Sequence, residues 1–369
     1  MAGGVRAARQ SNAARNQAVA PSNVAGTPSN AAGSQAAGPS NPAGAVGNMP
    51  TAISLSTLKK ATNNFRKQIG EGGAAHVYKG KLDDGQLIAV KRMKTRDSRD
   101  ESYDNEIGVL SHLNHPNIIN LIGCCFHNDT ERIIVYEFMP NGNLKDHLHV
   151  REKEDPREKD DPVLDWKTRM NIGVGIAEGL RYLHNNANRR VIYRDLKPRN
   201  VLLDADYNPK ISDFGISILL PDDGHTTSVT TPMPMGTPPY WAPEDAVVHT
   251  LSLKSDVFSF GVVLLEIITG TANMNEKNKR YVDDSVLVPE NFVHQADPKM
   301  KVDFPRGELV KAMTVATKCM NLCPESRPDI GVVVNAMRNL AGEQDAHWPE
   351  IFSTDRIESN PSPRRLKSI

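Results

Sequence analysis

The sequence predicts a two-lobed α+β fold: a small antiparallel-sheet lobe carrying one helix, followed by a larger, mainly helical lobe. Three observations predict it. Between Gln68 and Met93, β-branched runs are broken by Gly-rich and Asp83-Asp84-Gly85 turn signals, the pattern of consecutive antiparallel strands. From residue 141 onward, apolar residues recur at helical spacing. The change of regime falls near Glu137 to Asn141, which is expected to be the hinge.

Residues 1–50 are almost wholly Ala, Gly, Ser, Asn and Pro, with near repeats PSNVAG, PSNAAG and PSNPAG starting at Pro21, Pro28 and Pro39. So little apolar bulk cannot offset the entropy of ordering, and disorder is expected. Arg6, Arg9 and Arg15 without any acid also resemble an organelle transit peptide. Order begins near Ile53, where Leu55, Leu58, Ala61 and Phe65 suit one face of a short helix in an extension spanning 51–64. The small lobe, about 65–138, then reads as three antiparallel strands over QIGEGGAAHVYKGKLDDGQLIAVKRM, a helix from about Glu101 to Leu113, and strands at IINLIG and RIIVYEF. In the larger lobe, about 142–341, Asp165 is placed to cap a helix bearing Trp166, Met170, Ile176, Leu180 and Leu183. The mixed-charge run Arg151 to Asp161 reads as a solvated loop insertion. Val257 to Gly270 falls short of the roughly 18 to 20 apolar residues of a membrane span and carries Glu266, so a buried helix is expected. Past Ala341 the Pro-containing tail, 342–369, is expected to be loose or loosely docked.

At 369 residues the chain can bury a core without covalent staples, and 44 basic residues balance 44 acidic ones. No global field therefore draws it to nucleic acid or anionic lipid. The spacing of Cys124, Cys125, Cys319 and Cys323 matches neither a disulfide framework nor a paired CxxC zinc site. They read as reduced, mostly buried thiols of a cytosolic protein.

The chemistry is spread along the chain. In IGEGGAAHVYKG, Gly70, Gly72 and Gly73 let the backbone approach a phosphate closely, although Ala75 stands where a third motif glycine would be. A dinucleotide fingerprint would open a helix, whereas Val77 to Leu82 continues as a strand. Lys91 closes the apolar strand Ile88-Ala89-Val90 and needs a counter-charge or access to water. Glu106, on the following helix beside Ile107 and Leu110, is the natural partner. In VIYRDLKPRN, Asp195 can accept a hydroxyl proton, Lys197 can neutralise a phosphate, and Asn200 can offer an oxygen to a hard cation. An apolar hairpin then returns Asp213-Phe214-Gly215 to the same place. Two oxygen ligands together with substrate phosphates suit Mg²⁺. Taken singly, each of these groups is more often a surface charge or a turn residue.

Taken in order, and followed by Trp241-Ala242-Pro243-Glu244, the motifs resemble the protein kinase domain over roughly Phe65 to Ala341. ATNNF, LDWKTRMNIGVGIAEGLRYLH, VIYRD and SDVFSFGVVLLEIITG are similar to plant receptor-like kinases of the Pelle-related group, and within it to the receptor-like cytoplasmic kinases. The resemblance implies a protein-kinase-like fold and a serine/threonine protein kinase that uses ATP and Mg²⁺, with Mn²⁺ as a substitute. Asp195, Lys197 and Lys91 would be catalytic, and Asn200 and Asp213 would hold the metal. Ile69, Gly70, Gly72, Val77, Ala89, Lys91, Glu106, Glu137, Met139 and Leu202 would bind the nucleotide, with Tyr136 at the back of the pocket. Its partners would be protein substrates with Ser/Thr hydroxyls and a membrane receptor kinase, and its place the cytoplasm, with recruitment to the plasma membrane by a partner. Arg194 would pair with a phosphate on an activation loop from Asp213 to Glu244, which offers Thr226, Thr227, Ser228, Thr230 and Thr231. Asp256 and a Glu244–Arg327 ion pair would be structural. The chain departs from the family at Tyr193, which replaces a His, at Ala74 and Ala75 in the Gly-rich loop, and at Pro239. An ATP-binding pseudokinase scaffold is the alternative.

Overall fold

The computed structural model describes residues 50–94, 101–127, 131–149, 163–185, 189–223, 225–272, 295–300 and 304–353. The expectations for residues 1–49, the charged run 151–161 and the last sixteen residues, 354–369, lie outside the described residues.

The three consecutive strands form as expected: β2 (Gln68–Glu71), β3 (Ala75–Lys81) and β4 (Leu87–Met93), all antiparallel. Helix α2 (Ser102–Leu110) follows, then β5 (Leu121–His127) and β6 (Glu131–Glu137). A two-residue strand not foreseen from the sequence, β1 (Thr51–Ala52), pairs parallel to β5, making a mixed six-stranded sheet of order β1-β5-β6-β4-β3-β2. Its seat is Gly123, where a Cβ would lie 2.3 Å from the Thr51 carbonyl oxygen. Helix α1 (Leu55–Ala61), capped by the Ser54 hydroxyl, packs Leu58 against Ile88, Val90, Ile133 and Val135 on one face of the sheet. Three consecutive left-handed residues, Asn63 to Phe65, then turn the chain so that the Phe65 ring meets Tyr78 edge-on.

Two boundaries differ from the sequence reading. Helix α2 ends at Leu110 rather than Leu113. The Gly108 carbonyl is taken by the side chains of Ser111 and His112, which compete with the helical ladder. The strand expected from Ile118 begins only at Leu121, because Ile118 bridges Ile211 and the Ile119 N–H bonds the Ile211 carbonyl.

The larger lobe is helical: α3 (Leu144–Leu148), α4 (Trp166–Asn185), α5 (Pro243–Val248), α6 (Leu253–Thr269), α7 (Arg306–Cys319) and α8 (Ile330–Leu340). Asp165 caps α4 by accepting the Thr168 N–H at 2.8 Å. Short strands complete it: β7 (Val191–Ile192) pairs with β10 (Ile218–Leu219), β8 (Val201–Leu203) with β9 (Pro209–Ile211), and β11 (Ser228–Thr230) with β12 (Thr250–Ser252). One apolar cluster runs from Ile134 and Tyr136 through Tyr193 and Phe214 into α4, α6, α7 and α8. The segment after Ala341 is more firmly seated than expected: Phe352 is buried in that cluster and Lys311 lies over the Trp348 ring. Of the cysteines, Cys125 and Cys319 are buried and Cys124 partly so, but Cys323 is exposed, and all are free thiols.

Beneath the helices, Arg169 is fully buried and donates to the carbonyls of Leu164 and Ile267 and to Asp297 Oδ2 at 2.6 Å. Arg169→Met leaves Asp297 buried without its counter-ion and should cost about 3–5 kcal/mol of stability, read as a lower denaturant midpoint with an unchanged slope.

Candidate active site

Strand β4 sits between β3 and β6, with Lys91 opposite Val77 and Ile134. From that position its ammonium donates to Glu106 Oε2 on α2 and to Asp213 Oδ1 beyond β9, each at 2.7 Å. Burial alone would drive the pKa of the amine down; the two carboxylates outweigh it and hold it above its ordinary value. For Glu106 burial wins over the pull of Lys91, so its carboxyl lies above the usual range. It also accepts the Tyr136 hydroxyl at 2.5 Å and the Phe214 N–H at 3.4 Å. Asp213 is partly exposed, and there burial loses to Lys91, which holds the carboxyl below the usual range.

The second group forms after β7. The buried Asp256 on α6 accepts the N–H of Tyr193 at 2.8 Å and of Arg194 at 2.9 Å, with the His184 ring 2.9 Å away. Those bonds offset the strain of a left-handed Arg194, φ 74°. Tyr193, the departure from the usual His, packs edge-on against Phe214 with centroids 5.1 Å apart. Just beyond, Asp195 Oδ2 accepts from Lys197 at 2.6 Å and from the Asn200 amide at 2.9 Å, and Oδ1 accepts the Thr237 hydroxyl at 2.8 Å. Lys197 also donates to Thr237 at 2.8 Å. Gly236 permits this closure: its φ is +101°, and a Cβ there would lie 2.9 Å from the Arg194 carbonyl oxygen.

A cleft of about 680 Å³ is lined by Ile69, Gly70, Gly72, Val77, Ala89, Lys91, Glu106, Tyr136, Glu137, Met139, Asn200, Leu202 and Asp213. Asp195 and Lys197 are not in that lining and connect to it through Asn200. Sequence reasoning missed Asn143 and Asp146, which also line the cleft. Their only local signal is a helix-capping pattern, since the Asn143 side chain accepts the Asp146 N–H at the start of α3.

The lining fits a nucleoside triphosphate with a hard cation. Neither Gly72 nor Gly73 has a left-handed φ; a Cβ at Gly73 would meet nothing within 4 Å, and at Gly72 only the Ala75 carbonyl oxygen at 4.0 Å. The fold therefore makes no demand for glycine there, and the space is open to a ligand. The Met139 N–H makes no bond among the described residues, leaving a donor for a flat heterocycle. Asn200 spends its N–H groups on Asp195, so its amide oxygen joins the Asp213 carboxylate as an oxygen donor. Among the described residues no three His, Cys, Asp or Glu side chains form a metal cage. A cation here would complete its shell with phosphate and water oxygens, the habit of Mg²⁺.

Around the segment Asp213 to Glu244, three features concern charge. Among the described residues, Arg194 Nε and Nη2 are buried without a partner, while Nη1 donates to the Ile216 carbonyl at 3.3 Å. Glu244 and Arg327 form the expected bidentate pair, at 2.5 and 2.7 Å. Next to Glu244, burial pushes the Asp245 carboxyl up to about 7 from an ordinary 3.8, against a hydrogen bond from Ser255. Between those two values the unfolded chain is ionised there while the folded chain holds the proton, so Asp245 subtracts stability as pH rises, and no further above about 7. The gain in melting temperature of Asp245→Asn over wild type should therefore grow across that window and then level off; a constant difference would contradict the assignment.

Comparison with known proteins accounts for this arrangement. The protein kinase domain family matches residues 64–337. Among curated proteins of Arabidopsis thaliana, "Probable serine/threonine-protein kinase PBL21" is 40% identical over 86% of this chain and 84% of its own length. "Serine/threonine-protein kinase PBL27" is 44% identical over 78% of this chain and 56% of its own length, and "Serine/threonine-protein kinase PBS1" is 43% identical over 78% and 63%. The chain thus spans less than two thirds of the last two. With most of its length matched and its cleft assembled from the motif residues, the chain belongs to the protein kinase family.

Proposed function

We propose that this chain is a serine/threonine protein kinase that transfers the γ-phosphoryl group of ATP to protein hydroxyls in receptor-linked plant signalling. The observation that carries the reading is the convergence of Lys91, Glu106 and Asp213 on one cleft, joined through Asn200 to Asp195 and Lys197. The printed names of its relatives support the serine/threonine class. Among the described residues no helix is long and apolar enough to cross a membrane, and we place the kinase in the cytoplasm, recruited to the plasma membrane by a partner such as a receptor kinase.

Phosphoryl transfer asks the protein for positioning and charge stabilisation more than for covalent chemistry. Val77, Ala89 and Leu202 would enclose the adenine, with the Glu137 and Met139 backbone at its edge. Lys91 would hold the α and β phosphates, its own position fixed by Glu106. Asn200 and Asp213 would hold Mg²⁺, or Mn²⁺ in its place, which when bound neutralises charge on the phosphates. Asp195 would orient the substrate hydroxyl and take its proton, while Lys197 offsets charge on the transferred group. Both already share Thr237 as a hydrogen-bond partner. Arg194 bears on regulation. Its buried, unpartnered donors make it the receiver for a phosphate on Thr226, Thr227, Ser228, Thr230 or Thr231, which would order the loop through charge-assisted bonds.

Purified chain with labelled ATP and Mg²⁺ should incorporate label into protein, and Asp195→Asn should lower turnover by about 10²- to 10⁴-fold. Lys91→Arg should abolish it as well; a wild type that binds ATP without transferring label would favour the scaffold reading. Replacing all five loop hydroxyl residues with Ala should cut turnover strongly, and unchanged turnover would refute regulation through Arg194.

A further inference from the structure

We propose that Asn105 is a positioning residue for phosphoryl transfer: it locks α2 to the segment after Asp213, so that Glu106 and Asp213 reach Lys91 as one unit. The inference rests on the kinase reading above. The Asn105 amide nitrogen donates to three main-chain carbonyls in succession, Phe214 at 3.2 Å, Gly215 at 3.1 Å and Ser217 at 3.0 Å. An amide has only two N–H groups, so three acceptors at this range mean that the loop is folded around it.

The neighbouring residue on the same helix completes the grip. Glu106 accepts the Phe214 N–H while Asn105 takes the Phe214 carbonyl, so α2 holds both faces of one peptide segment. The contact is close: a Cβ at Gly215 would lie 3.2 Å from Ser102 Cβ in the first turn of α2. The grip extends to the second charged group, because the buried Ser217 donates its hydroxyl to the Tyr193 carbonyl at 3.1 Å. Two backbone facts show why outside support matters. Asp213 holds a left-handed φ of 64°, which a non-glycine residue keeps only when its surroundings impose it. Helix α2 has nine residues and, among the described residues, no side-chain cap at its N-terminus, too little to hold its position alone.

Asn105→Asp keeps the shape but replaces the donor with a carboxylate facing three carbonyls; Asn105→Ala removes the group altogether. In the full chain, both should lower kcat by about 10- to 100-fold, the effect of misplacing reacting groups by about 1 Å. The KM for ATP should stay within about threefold, because the cleft that binds it is intact. Hydrogen–deuterium exchange should rise over 213–219 while the melting temperature and the exchange of α6 stay near wild type. Wild-type kcat in both variants would overturn the proposal, as would a loss of kcat accompanied by faster exchange throughout the chain. If wild type itself transfers no phosphoryl group, the functional reading fails and exchange alone decides the lock: no change over 213–219 in either variant would overturn it.

Discussion

The ammonium of Lys91 sits between two carboxylates that lie 15 and 122 residues away along the chain, each within 2.7 Å. It is mostly buried, and a buried charge is tolerated only when it is paired and hydrogen-bonded. That constraint orders much of the small lobe. Strand β4 must be central to bring the amine inward, α2 must lie close enough to deliver Glu106, and the loop after β9 must bend through a left-handed residue to deliver Asp213. The two acids differ in outcome. Burial is the largest influence on both; at Glu106 it prevails over the pull of Lys91, whereas at Asp213 the charge and the hydrogen bond of Lys91 together outweigh it.

The larger lobe answers with a rigid mount. Asp256, on a helix whose core-facing residues are buried along its length, accepts two consecutive backbone N–H groups just before Asp195. The polar group around Asp195 is therefore hung from a strongly apolar helix, while the hydroxyl of Thr237 arrives from a stretch of Gly and Pro.

Much of this was legible in the sequence for physical reasons. A lysine ending an apolar strand demands a partner, and Glu106 stood on the buried face of the next helix beside Ile107 and Leu110. The hairpin β8–β9 fixed the return of Asp213, and the cap at Asp165 set the start of α4. What could not be read depends on contacts between distant segments. Two residues, Thr51 and Ala52, have no periodicity, and their pairing exists only because Gly123 leaves room for it. Ile118 and Ile119 look like strand residues but are drawn to Ile211 across the lobe boundary. Asn105 is a polar residue whose meaning arises from the path of another loop. Phe352 stands in a Pro-containing tail expected to be loose or loosely docked, and only the core of the larger lobe supplies its socket.

Tyr136 carries a further consequence for chemical intervention. Its ring lines the cleft and its hydroxyl donates to Glu106 at 2.5 Å. A compound reaching from the cleft toward Glu106 would meet that ring, which obstructs bulky substituents there. Carving a hole there with a small residue would admit such compounds and would also unbrace the acid that anchors Lys91. Sensitivity to a tailored drug and full enzymatic vigour are therefore set against each other by one phenol.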